Sequence, residues 1–298
     1  MKRCVESLFL CGLLVVAGAI RADSGSDNST GQYVLPNDWE GARSRLQLLE
    51  KANEPHTLAQ LQKVNIGKGW RCLDVGAGLG GMSRWLADKV GPDGVVDALD
   101  ANTTFLDSVA GSCPNVQVIE ANLLEWQHEH CYDFILARDV MMHIPQRLQV
   151  IEKLVQALKP GGILMVEDVA LHRKGMPYRY FSNAPEANRL LEDVMLQLEQ
   201  GGHMSFCSAY DNAELLRQAG LQQIAGEISA HLFSCNSAEA GLLAQSLQQV
   251  KPLMMQKGFN EALFDWVIKH FADPSMRAWG FLRVTTVGVK KSSDSDRA

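Results

Sequence analysis

From about residue 70 to residue 170, short apolar runs alternate with stretches of helical spacing. WRCLDV (70–75) reads as a buried strand, and MSRWLADKV (82–90) as a helix stopped by GPDG. VVDALD (95–100) is a second strand, and NTTFLDSVAGSC (102–113) a helix. VQVIEAN (116–122) and YDFILAR (132–138) are further strands. PQRLQVIEKLVQALK (145–159) is a helix closed by PGG, and ILMVEDV (163–169) a strand. Strands alternating with helices predict a parallel sheet covered on both faces, because parallel neighbours need a crossover rather than a tight turn.

The flanks follow a different pattern. A helix is expected from Trp39 to Leu49, with Ala42, Leu46 and Leu49 on one face, and a second from His56 to Val64. Beyond Ala170 a loop precedes a helix in EANRLLEDVMLQLEQ, a short helix in NAELLRQAGL and a strand-like QQIAGEISAHLF. Residues 236–272 read as largely helical, and RVTTVGVKK as a final strand. The expected organisation is a tail and linker over 1–30, a helical cap over 31–66 and one α/β domain over 67–291. Helical insertions are expected near 173–204 and 236–272, and disorder in SSDSDRA at the end.

The chain has 298 residues, 46% of them hydrophobic, which is ample for a sizeable core. Its net charge of -6, with no basic stripe, argues against a nucleic-acid partner, since phosphate contacts need clustered Lys and Arg. The 7 cysteines form no C-x-x-C pair and no zinc-ligand spacing. Reduced thiols and no metal site are expected.

Lys2 and Arg3 precede an apolar run from Leu8 to Ile20, and small residues near Ala22 then lead into a polar stretch. That pattern is signal-like, and the run is short for a membrane span of about 20 residues. Residues 1–22 therefore read as a cleavable leader, a membrane-associating tail or a start placed too early. The later segments contain no candidate span.

The candidate chemistry lies in LDVGAGLGG, residues 73–81. A strand, a glycine turn and a helix put backbone N–H groups beside a ligand. Gly76, Gly78 and Gly81 match G-x-G-x-x-G, the dinucleotide pattern, while Gly76, Gly78 and Gly80 match G-x-G-x-G, the loop of S-adenosylmethionine enzymes. Asp74, just before the loop, repels a pyrophosphate and tolerates a sulfonium and an ammonium. Asp100, ending the next strand, suits ribose hydroxyls under either reading.

The run from Gly69 to Glu167 resembles the class I S-adenosylmethionine-dependent methyltransferases. The resemblance rests on LDVGAGLG, VVDALD, IEANLLEW, YDFILARDVMMHIP and LKPGGILMVED, in that order. YVLPNDWEGARSRLQLLE is similar to the helical cap of natural-product and quinone-type members. The resemblance implies a Rossmann-like, doubly wound, mostly parallel seven-stranded sheet with S-adenosyl-L-methionine as cofactor. It implies that Asp74 and the backbone of Gly76, Ala77 and Gly78 face the methionine end, and that Asp100 takes the ribose. Asn122 and Leu123 would meet the adenine, with Asn122 where the family often has an acidic residue. Arg138 would line the cofactor, and Tyr33 would close over it.

His143, in MMHIP, faces the cofactor by the same resemblance and is the candidate base, its ordinary pKa lying near neutrality. His172, His203 and His231 are alternatives. An acceptor pocket is expected between the cap, the loop 172–185 and the helices 236–272, a region containing Trp39, Tyr178, Tyr180, Phe181, Phe259, Phe264 and Trp266. The expected activity is methyl transfer to O or N of a small, largely apolar or aromatic molecule, in the cytosol where the cofactor is made. An NAD-dependent oxidoreductase and a non-catalytic cofactor-binding regulator are the alternatives. The acceptor and the oligomeric state are not legible in the sequence.

Overall fold

The computed structural model describes residue 35, residues 39–170, residue 181 and residues 184–292. Tyr33, His172, Tyr178, Tyr180 and the tail 1–22 lie outside the described residues.

The central strands are β1 (Arg71–Val75), β2 (Val95–Asp100), β3 (Val116–Glu120), β4 (Tyr132–Arg138), β5 (Leu158–Ala170), β6 (Gln222–Ser229) and, after two short strands, β9 (Leu282–Val289). They form a seven-stranded sheet in the order β3-β2-β1-β4-β5-β9-β6. The pairs from β3 to β5 are parallel, and β9 runs antiparallel to both β5 and β6. The helices α2 (Gly81–Val90), α3 (Asp107–Ser112) and α4 (Arg147–Ala157) make the crossovers between parallel strands. Because those strands run the same way, Val75, Asp100, Glu120 and Arg138 share one edge of the sheet. That carboxyl edge, where strand order reverses at β1/β4, is where α/β sheets open a crevice.

Each strand is apolar because both faces are covered. β2 buries its four central residues, including Asp97. The Asp97 carboxylate is kept there by Arg71 Nη2 and the Tyr132 hydroxyl, both donating at 2.7 Å.

Several elements differ from the sequence expectation. The two N-terminal helices are one, α1 (Ala42–Val64), running through Pro55. An interior proline removes a helical hydrogen bond and costs about 3 kcal/mol. Tertiary packing offsets this: Gly241 of α7 (Ala238–Gln256) lies so close to Leu48 that an added Cβ would approach Leu48 Cδ1 to 3.1 Å. The helix expected over 102–113 shrinks to α3, because Asn102 Oδ1 accepts the Thr104 N–H in a turn. The Lys-Pro-Gly-Gly run begins β5 instead of closing a helix. Gly161 takes φ +79, and a Cβ on Gly162 would stand 2.9 Å from the carbonyls of Lys159 and Tyr132.

Two more helices, α5 (Pro185–Gln200) and α6 (Asn212–Gln218), follow β5, and α8 (Glu261–His270) follows α7. The short strands β7 (Leu232–Ser234) and β8 (Arg277–Trp279) pair antiparallel, β8 being absent from the sequence expectation. α5, α7 and α8 share a hydrophobic core of their own beside the carboxyl edge.

Candidate functional site

The glycine loop leaves β1 and enters α2. Gly76, Gly78 and Gly80 all have positive φ. A Cβ on Gly76 would meet Val140 Cγ2 at 2.4 Å, and one on Gly80 would meet Val109 Cγ2 at 2.4 Å, so packing requires both glycines. Gly78 differs: among the described residues, a Cβ there would have only the Gly76 carbonyl, 4.0 Å away, as neighbour. Its bare Cα faces open space, the cradle a ligand would fill.

Three carboxylates surround that loop. Asp100 Oδ2 accepts the Gly78 N–H at 2.9 Å, and its Oδ1 accepts the Asn102 N–H at 3.0 Å. Glu50 of α1 accepts the Gly81 N–H at 2.8 Å, at the start of α2. Asp74 is buried and accepts the Ser83 hydroxyl at 2.6 Å, tying the end of β1 to α2. Burial pushes the Asp74 carboxyl up to about 6, against the Ser83 hydrogen bond and the nearby Arg138 charge. The Glu50 contact was not legible in the sequence, being made across 31 residues.

Asn122 lies exposed beyond β3, its Oδ1 accepting the Leu124 N–H at 3.0 Å, with Leu123 between them. Arg138 ends β4, its side chain under α1 with Nη1 3.5 Å from Thr57 Oγ1. The adjoining Asp139 has φ +57, an uncommon conformation for a non-glycine residue. Its carboxylate is held there by Arg283 Nη1 at 2.7 Å and Asn53 Nδ2 at 2.8 Å.

Arg283 is buried and also donates to Glu167 at 2.7 Å. Burial opposes its charge, but the Asp139 and Glu167 carboxylates outweigh it and hold its pKa above the ordinary value. Glu167 further accepts the hydroxyls of Thr57 at 2.7 Å and Thr285 at 3.0 Å. Next to this network Asp168 is wholly buried, receiving Asn212 Nδ2 at 3.3 Å. Burial, reinforced by Asp139, pushes its carboxyl up to about 7.

A cavity of about 200 Å³ opens from Asp139 and Asn53 between α1, α5 and α7. Its walls are aliphatic, with Leu191, Val194, Met195 and Leu247 among them, and Phe206, Phe233 and Phe281 supply the aromatic surface. Trp39, Phe181, Phe259, Phe264 and Trp266 do not line it. Phe181 and Phe264 are spent in the core, and Trp266 stacks on His270 at the surface. The expected cap does contribute, because one face of α1 presents Arg45, Leu49, Ala52, Asn53 and His56 to the cavity.

His143 also lines this cavity, half-buried, with Met142 beside it; Met141 is core. Burial pushes the His143 imidazole below its usual pKa, against a hydrogen bond to the His203 backbone. His231 lines the cavity and pairs with Glu239 at 2.7 Å. A neutral imidazole beside a largely apolar cavity can take a proton from a bound hydroxyl or amine.

A family model described as a methyltransferase domain matches residues 39–225 of the chain. A trans-aconitate 2-methyltransferase of Rhizobium leguminosarum is 31% identical over 193 residues, covering 65% of this chain and 63% of that protein. The chain thus spans less than two thirds of that relative's length. Among solved structures, phosphoethanolamine N-methyltransferase 2 of Haemonchus contortus in complex with S-adenosyl-L-methionine is similar at a TM-score of 0.51 and 16% identity, covering 84% of this chain and 53% of that one. The YcgJ protein of Bacillus subtilis is similar at a TM-score of 0.53 and 14% identity, covering 80% and 99%. At such identities the likeness concerns the fold.

Proposed function

This chain belongs to the methyltransferase-domain family, within the class I S-adenosylmethionine-dependent methyltransferases, and on that premise we propose that it transfers a methyl group to an oxygen or nitrogen of a small molecule with a largely apolar body. One observation carries the cofactor assignment. The Gly78 and Gly81 N–H groups, which would cradle a pyrophosphate, already donate to the carboxylates of Asp100 and Glu50. With the buried Asp74, that makes an acidic rim, repelling phosphates and suiting a sulfonium and an ammonium. An NAD-dependent oxidoreductase is correspondingly disfavoured.

S-adenosyl-L-methionine supplies an electrophilic methyl group on a cationic sulfur. The residues that would hold it are Asp74, the Gly76–Ala77–Gly78 backbone, Asp100, Asn122, Leu123 and Arg138. Both oxygens of Asp100 retain lone pairs for ribose hydroxyls beyond the backbone bonds they accept. The work left to the protein is alignment and exclusion of water, and alignment alone can be worth about 7–11 kcal/mol. The cavity beside Asp139 holds the acceptor out of water, and His143 takes the proton the acceptor loses.

The relative is named for trans-aconitate and the structural neighbour for phosphoethanolamine. The aliphatic walls here favour a less polar body. Among the described residues no helix is long and apolar enough to cross a membrane. A cytosolic site of action is part of the proposal, and secretion of a reporter fused after Ala22 would overturn it.

The test is calorimetric titration with S-adenosylhomocysteine and, separately, NAD, followed by tritiated-methyl transfer into small-molecule extracts. Tight S-adenosylhomocysteine binding and a labelled product are expected. Tight NAD binding alone would reverse the assignment, and binding without any labelled product would favour a regulator.

A further inference from the structure

We infer that Arg45 is the docking fork for a carboxylate on the molecule that fills the cavity between α1, α5 and α7, so that the methyl acceptor is a small amphipathic acid. This deepens the methyltransferase reading and rests on it for the word acceptor; the docking site itself does not.

Arg45 is only 3% exposed, yet its Nε and Nη2 have no hydrogen-bond partner among the described residues. A buried guanidinium left unpaired is costly, and removing one partner from such a pair typically costs several kcal/mol. Charged side chains nearby offer no relief. Asp139 is engaged by Arg283 and Asn53, and Glu239 by His231. Among the described residues, the Arg45 guanidinium in the cavity wall is therefore without a counter-charge.

The two orphaned atoms matter individually. Nε–H and Nη2–H are the adjacent, parallel donors on one side of the guanidinium plane, the pair that meets both oxygens of a carboxylate at once. They are the atoms left over here. The rest of the cavity limits the ligand further. Past Arg45 its surface is built from Leu191, Val194, Met195, Leu198, Leu247 and Val250. An apolar body with one anionic end satisfies both the walls and the fork. A dianionic phosphate is a poorer match, because no second cation is unpaired beside Arg45 among the described residues.

The geometry explains why α1 carries this residue. Glu50 of the same helix reaches the glycine loop, while Arg45 and Leu49 face the cavity. One helix thus links the site proposed for the cofactor with the site proposed for the acid.

The experiment titrates the full chain with octanoate, octanol and octyl phosphate, with and without S-adenosylhomocysteine, for the wild type, Arg45→Gln and Arg45→Lys. Octanoate is expected to bind the wild type about tenfold or more tighter than octanol, the equivalent of one charge-assisted pair. Arg45→Gln should abolish that preference while leaving S-adenosylhomocysteine affinity unchanged, and Arg45→Lys should restore part of it. Equal binding of octanoate and octanol to the wild type overturns the proposal, as does an octanoate preference that survives in Arg45→Gln. Tighter binding of octyl phosphate than of octanoate overturns the carboxylate assignment. Failure of S-adenosylhomocysteine to bind would instead overturn the methyltransferase reading, while the octanoate comparison stays readable. Arg45→Gln removes an unpaired buried charge and is expected to fold; Arg45→Lys keeps the test decisive should it not.

Discussion

Glu50 of α1 accepts the backbone N–H of Gly81 at 2.8 Å, so one helix caps the start of another across the glycine loop. A carboxylate at a helix N-terminus satisfies an orphan N–H and meets the positive end of the helix dipole. Glu50→Ala is expected to lower stability by about 1 kcal/mol and Glu50→Gln by less. Urea denaturation checks the order; equal losses would mean that the charge is irrelevant.

Asp100 holds the loop by its other face. Asp100→Ala should weaken S-adenosylhomocysteine binding by about 1–3 kcal/mol through lost charge-assisted hydrogen bonds. Calorimetry on the purified variant is the check, and an unchanged affinity would remove Asp100 from the site.

Arg283 sits between the carboxylates of Asp139 and the buried Glu167. Arg283→Met leaves Asp139 and Glu167 without their cation and should cost about 3–5 kcal/mol. The midpoint of chemical unfolding reads this directly. A loss below about 1 kcal/mol would show that the pair merely repays its own desolvation.

Asp168 makes stability depend on pH. Its carboxyl is raised to about 7 in the folded chain, so the folded state holds a proton that the unfolded chain has released. The benefit is complete below the unfolded pKa and lost as pH rises through about 7. Asp168→Asn, neutral at every pH, should therefore gain on the wild type as pH rises from about 4 to about 7 and hold that gain above it. Asn212 Oδ1, buried without a partner among the described residues, can accept the new amide after a flip of its own side chain. Parallel pH profiles of the two proteins would refute the assignment.

His143 has its pKa lowered by burial, so the neutral base persists below the ordinary histidine range. The acid limb of kcat/KM is expected below about pH 6.5, the usual imidazole value. His143→Gln should reduce kcat by about 10²–10⁴ if the imidazole takes the proton. A variant with normal kcat and an unmoved acid limb would leave His143 an ordering role only.

The crossover strands and the glycine loop were legible because their signals are local. A doubly covered strand must be apolar along its length, as in VVDALD, and a tight turn into a helix needs glycine whatever lies around it. The single helix α1 was not, since Pro55 signals a break, whereas the helix runs through it packed against α7, as at Leu48 and Gly241. Phe181 and Phe264, expected in the pocket, went instead to the core, because ring volume is useful in either place and sequence does not distinguish them.

The succession of strands and helices in the central region, the turn that carries Gly76 to Gly80 and the acids at the strand ends were thus determined by the chain's own pattern. Tertiary structure alone decided that Glu50 meets Gly81, that Arg283 separates Asp139 from Glu167, and that Arg45 is buried beside a cavity with its fork unpaired. Periodicity says which face of an element is apolar. Whether a charge on that element finds a partner depends on side chains brought from far along the chain, 144 residues away for Arg283 and Asp139.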